Sequence, residues 1–295
     1  MPESNKHEQS LGRRIVMFPL VRAIIAIAMI IVATMLTSRL TNALGEAIFS
    51  EPMPELWKLT KTVITIVVAL FAYAVFVKYV ERRSESEIAC TGAVEELLQG
   101  VTLGAGLFSA VIAAIWISGS YQVLSVHNLP VLIPPLYTSL SAGFIEEVIF
   151  RGIIFRIMQE SLGSWIAIAV SAALFGFGHA ANPNATLYSS VAIALEAGIL
   201  LAAAFMFTRR LWLAIGLHFA WNFTQGGIFG VAVSGHDVRG LLNAQLSGHE
   251  LITGGNFGAE ASIFALIFCV IAGAYLLVLA KRRGHFVQPF WMRKE

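Results

Sequence analysis

Eight stretches of this chain are apolar for long enough to cross a lipid bilayer, and that feature decides most of what the chain can fold into. They cover roughly 18–38, 62–80, 101–118, 136–157, 165–181, 189–207, 211–229 and 260–280. A helix of about 20 residues bonds all of its own backbone groups across a hydrocarbon layer that offers no water to do so. Composition agrees. Charged residues make up 13% of the 295 positions and apolar ones 57%, against roughly 25% charged in an ordinary soluble domain. That is too little charge to cover a soluble surface. A cytosolic globular enzyme, a disordered chain and a secreted disulfide scaffold are excluded. The expected fold is an all-α polytopic membrane protein: eight transmembrane helices around a polar intramembrane cavity. The run at 18–38 follows Arg13 and Arg14, but it is long for a signal core and has no small-residue cleavage site, so it reads as the first helix.

The cations set an orientation. With the N-terminus in the cytoplasm, all twenty Lys and Arg fall on the cytoplasmic side except Arg39, Lys58, Lys61 and Arg239. This includes Lys6 at one end and Lys294 at the other. The bias predicts both termini inside and an even number of spans; the expected location is a bacterial inner membrane. A net charge of +2 gives no reason to expect nucleic acid. Cys90 and Cys269 share no metal or redox spacing and read as bystanders. Residues 81–99, with Glu95 and Glu96, read as an amphipathic cytoplasmic stretch. The Gly-rich loop 230–259 lies outside, and its His236, Asp237 and His249 read as solvated. No internal repeat is visible. Three regions are expected: 1–95, two helices and a loop; 96–230, the core; and 231–295, the outer loop, last helix and basic tail.

Ionisable groups inside an apolar span cost about 2.5–3.5 kcal/mol each near the bilayer centre, so those that persist face a polar interior. The fourth run carries Glu146, Glu147 and Arg151. Glu147 and Arg151, four apart, share a helix face and can pair. Glu146 points about 100° away and is free to act as a general base. The fifth run ends Phe175-Gly-Phe-Gly-His179, where Gly176 and Gly178 admit a close neighbour. In the seventh, His218 and Asn222 are four apart and can both donate to a developing oxyanion. Singly, each group also has a reading as a structural clamp. Together, on three helices, they describe one hydrolytic site using activated water, since no paired Ser or Cys nucleophile is present. Height is a conflict. His179 falls toward the outer end of its helix and His218 toward the inner half of its own. Glu196, in the sixth run, reads as structural and not deep, with Gly198 and Ala202 as packing positions.

The pattern Glu-Glu-x-x-x-Arg, then Phe-x-x-x-His, then His-x-x-x-Asn resembles the CPBP intramembrane proteases, which include the type II CAAX prenyl endopeptidases and the bacterial Abi proteins. The resemblance covers about residues 95–228. It implies an intramembrane endopeptidase of prenylated or other membrane-associated peptides. Glu146 would activate water with His179, His218 and Asn222 would form the oxyanion site, and Glu147 and Arg151 would support them. Arg209–Arg210 and the 230–259 loop depart from the pattern and leave the substrate open. Zinc on Glu146, His179 and His218 is the alternative chemistry. The His-Glu-x-x-His spacing of a zinc helix is missing and Arg151 would oppose a cation, so no cofactor and no metal is the favoured reading. Other function classes remain: a proton-coupled transporter, or a non-catalytic immunity or scaffold protein. The expected partners are a peptide or membrane-protein substrate and the bilayer itself.

Overall fold

The computed structural model describes residues 11–50 and 52–293, so Lys6 and Lys294 of the charge count lie outside the described residues. After a short helix, Leu11–Met17, and a bend at Phe18, eight long helices follow. They are α1 (Pro19–Ile48), α2 (Glu55–Glu81), α3 (Ala93–Ile117), α4 (133–162), α5 (Ser164–Ala181), α6 (Leu187–Thr208), α7 (212–228) and α8 (Ile263–Arg282). Six of them are long and apolar enough to cross a membrane. The other two are α4, loaded with Glu146, Glu147, Arg151, Arg156 and Glu160, and α7, the shortest of the eight. The architecture is therefore all-α and polytopic, with six membrane-crossing candidates where the sequence suggests eight.

The outward faces fit lipid. Ile24, Val32 and Leu36 on α1, Val67 and Phe71 on α2, and Ile271 and Tyr275 on α8 are all exposed. A helix apolar all round is stable only in such a solvent. Inward, glycines let backbones touch. A Cβ on Gly104 of α3 would sit 2.3 Å from the Leu217 carbonyl of α7, and one on Gly216 would sit 2.3 Å from that of Leu97. Gly176 of α5 lies as close to the Ser190 carbonyl of α6. Gly178, expected to do the same, meets nothing nearer than Phe150, at 3.9 Å.

Two further expectations change. A small antiparallel ribbon joins β1 (Tyr121–Val126) to β2 (Leu242–Leu246), so the loop 230–259 is folded onto the body. The stretch expected over 81–99 is shorter, and only part of it is exposed: Arg82, Ser84, Glu85 and Ser86 are exposed. Glu81 and Glu87 are buried against Arg83 and Arg156, and α3 begins at Ala93.

That segment also removes the height conflict. The first residues of α7 are sunk into the body: Leu211 N–H donates to the Glu87 carbonyl, and the Leu211 side chain lies beside Gly152 of α4. Gly152 is ten residues from the end of α4, about 15 Å at 1.5 Å per residue. Starting α7 that far in lifts His218 to the level of His179.

Candidate active site

Glu146 and Glu147 sit where α4 widens from α-helical to π-helical turns at Val148–Phe155. Asn222 marks the same transition in α7, before Phe223–Ile228. Such wide turns locally re-aim side chains. Glu147 is fully buried, and its Oε1 accepts from Arg151 Nη1 and from His218 Nδ1, both at 2.8 Å. Arg151, 1% exposed, also donates to the carbonyls of Ala197 and Gly198. Every charge in this cluster is paired, as burial demands.

Glu146 turns the other way. It is half-buried, makes no hydrogen bond among the described residues, and lines a cavity of about 770 Å³. His179, His218 and Asn222 line the same cavity, together with Thr138, Ser139 and the loop from Val233 to Arg239. His179 Nδ1 lies 2.7 Å from the Phe175 carbonyl. A carbonyl only accepts, so this nitrogen carries the proton and Nε2 offers a lone pair. Phe175 is the hub. Its ring centroid lies 4.9 Å from that of His179, 5.9 Å from that of His218 and 4.3 Å from the Arg151 guanidinium carbon.

The structure thus brings Glu146, His179, His218 and Asn222 to one wall, with Glu147 and Arg151 packed behind. Two more acids stand nearby. Glu196, read from sequence as shallow and structural, is fully buried, and neither carboxylate oxygen has a hydrogen-bond partner among the described residues. Glu260, passed over in the sequence, accepts from the Ser234 N–H. Both line a smaller cavity of about 30 Å³ that shares His179, His218 and Asn222 with the large one, room for about two waters. Burial pushes the Glu260 carboxyl up to about 7. Its one sequence signal is an acid placed just before an apolar run. Among the described residues no three His, Cys, Asp or Glu side chains stand together as a metal-holding group. Glu146, His179 and His218 share a cavity without forming such a group.

A family described as type II CAAX prenyl endopeptidase Rce1-like has a model that matches residues 127–224. The matched segment runs through all six site residues, from Glu146 to Asn222. The likeness is confined to that segment, about a third of the chain. YdiL of Bacillus subtilis (strain 168), named as a candidate membrane peptidase, is 30% identical over 132 residues, 45% of this chain and 49% of its own length. The chain thus spans about half the length of the curated relative it matches. No solved structure matches it.

Proposed function

We propose that the protein is an intramembrane endopeptidase that hydrolyses a peptide bond with a glutamate-activated water and no metal. One observation carries the reading: an unpartnered carboxylate, Glu146, shares a cavity wall with two histidines and an asparagine whose polar edges are free. Glu146 takes a proton from a water that also donates to His179 Nε2. The resulting hydroxide adds to the peptide carbonyl carbon. The oxyanion forms at Asn222 Nδ2 and the His218 Nε2 edge, where the ring donates as imidazolium. Glu147 on Nδ1 fixes that ring. Glu146 then hands its proton to the departing amide nitrogen as the C–N bond breaks. Preorganised donors of this kind are worth about 10²–10³ each in rate, and a positioned base about 10²–10⁴.

The same reading places α4 and α7 across the membrane, making eight crossings in a bacterial inner membrane with both termini cytoplasmic. The charge bias supports it. Its test compares peptide termini in cells expressing wild type and Glu146→Gln. Termini that vanish in the variant are the expected result. Identical sets, with both proteins present at equal level in the membrane, would remove the protease.

A further inference from the structure

Most of the arginines of this protein converge at one end of the helices, Arg39, Arg151 and Arg239 excepted. Arg22 pairs with Glu81 and Glu160, and Arg156 pairs with Glu81 at 2.8 Å and Glu160 at 2.6 Å. Arg83 binds Glu81 and Glu87. Arg13 donates to the Val80 carbonyl, Arg209 to Gln159 and Arg283 to the Phe207 carbonyl. These contacts tie the start of α1 to the ends of α2, α4, α6 and α8. They form one belt.

The mouth of the catalytic cavity lies at the opposite end of the same helices. Pro134 and Pro135 line it at the start of α4, whose far end holds Arg156 and Glu160. Twenty-two residues separate Pro134 from Arg156, about 33 Å of helix, which is the full depth of a hydrocarbon layer. Asn182 lines it just beyond the end of α5, whose start bonds the Val287 backbone at the belt. The loop after α7 completes the rim with His236, Asp237 and Arg239, all exposed.

That rim is held in place. Asn182 Nδ2 donates to the Ser234 carbonyl and Asn184 Nδ2 to that of Gly235, both at 3.0 Å. Gly235 N–H donates to the Phe257 carbonyl, and Glu260 takes the Ser234 N–H. His127 Nδ1 holds the Gly240 carbonyl from the ribbon side. The opening is therefore a built feature at the end poor in cations. Cations in short flanking segments stay cytoplasmic. The belt therefore faces in and the mouth faces out.

We propose that the cavity opens on the extracytoplasmic face, and that its substrates are peptide segments presented there by exported or membrane-embedded polypeptides, not cytoplasmic chains bearing a prenyl group. This rests on the protease reading for the word substrate, while the face itself does not. The rim carries Asp237 and Arg239 in near balance. Val131, Pro134, Pro135, Val233 and Val238 line the walls. An uncharged, extended apolar segment suits such a lining.

Native cysteines supply the test. Cys90, exposed beside the belt, reports the inner face in Cys269→Ala protein, where the buried thiol is gone. His236→Cys in a Cys90→Ser, Cys269→Ala background reports the mouth, and His249→Cys on the same loop serves if that variant fails to insert. Spheroplasts are treated with a charged, membrane-impermeant maleimide before and after lysis. The mouth cysteine is expected to react before lysis and Cys90 only after it. The reverse order overturns the proposal. Termini that differ between wild-type and Glu146→Gln cells are expected on segments outside the membrane, and differences confined to cytoplasmic segments overturn it too. An outward label with no changed terminus defeats the protease reading and the substrate class together, leaving the outward mouth as a separate result.

Discussion

Adjacent carboxylates in α4 have opposite surroundings, and the difference is measurable. Glu147 is locked between Arg151 and His218, whereas Glu146 touches only the cavity. Removing one partner of a buried ion pair costs about 3–5 kcal/mol, because the other charge is left uncompensated. Glu147→Gln is therefore expected to lower the melting temperature in detergent as well as activity, while Glu146→Gln lowers activity alone. A thermal melt of the two purified variants decides this, and equal melting temperatures would contradict the separate roles. The metal-free reading makes its own demand. Peptide cleavage by purified protein should be unchanged after dialysis against a strong chelator. Activity lost on chelation and regained with Zn²⁺ would reassign Glu146, His179 and His218 as ligands.

Among the elements, the decisive contact is α3 against α7. Gly104 leaves the Leu217 carbonyl only the space a hydrogen occupies, and His218 is the next residue. Gly104→Ala must push α7 away, an overpacking cost of about 1–3 kcal/mol. Gly106 on the same helix faces nothing within 4 Å. There the same change is expected to gain roughly 0.5–1 kcal/mol of helix preference. Thermal melts of the two variants should move in opposite directions, with the Gly104 variant also losing activity. The π-helical turns act at this scale too. They begin immediately after Glu147 in α4 and after Asn222 in α7, and such turns recur at functional sites.

At the scale of the whole molecule, the loop 230–259 is fastened to the body through Glu260. Its carboxyl is raised by burial from the ordinary 4.5 to about 7, so the folded state holds that proton more tightly than the unfolded state does. The stabilisation is fully present below about 4.5 and is lost as pH rises through about 7. Wild type is expected to lose thermal stability between pH 5 and pH 8 relative to Glu260→Gln, which carries no titrating group there. Parallel curves for the two proteins would show that Glu260 does not govern the loop.

Apolar run length located the eight long helices in the sequence, six of them long and apolar enough to cross a bilayer. The four-residue spacing also anticipated the Glu147–Arg151 pair, since helix geometry fixes it locally. Other features were out of reach because they arise between distant segments. The depth of Glu196 depends on how α6 packs against α5 and α8. The common level of His179 and His218 depends on residues 81–92 receiving the start of α7 inside the body. The ribbon of β1 with β2 pairs strands more than a hundred residues apart, a contact no local period encodes. Sequence by itself determined which segments are helical and which residues are chemically capable. Tertiary structure decided which of those residues meet and at which end the cavity opens, because both follow from the relative height and rotation of packed helices.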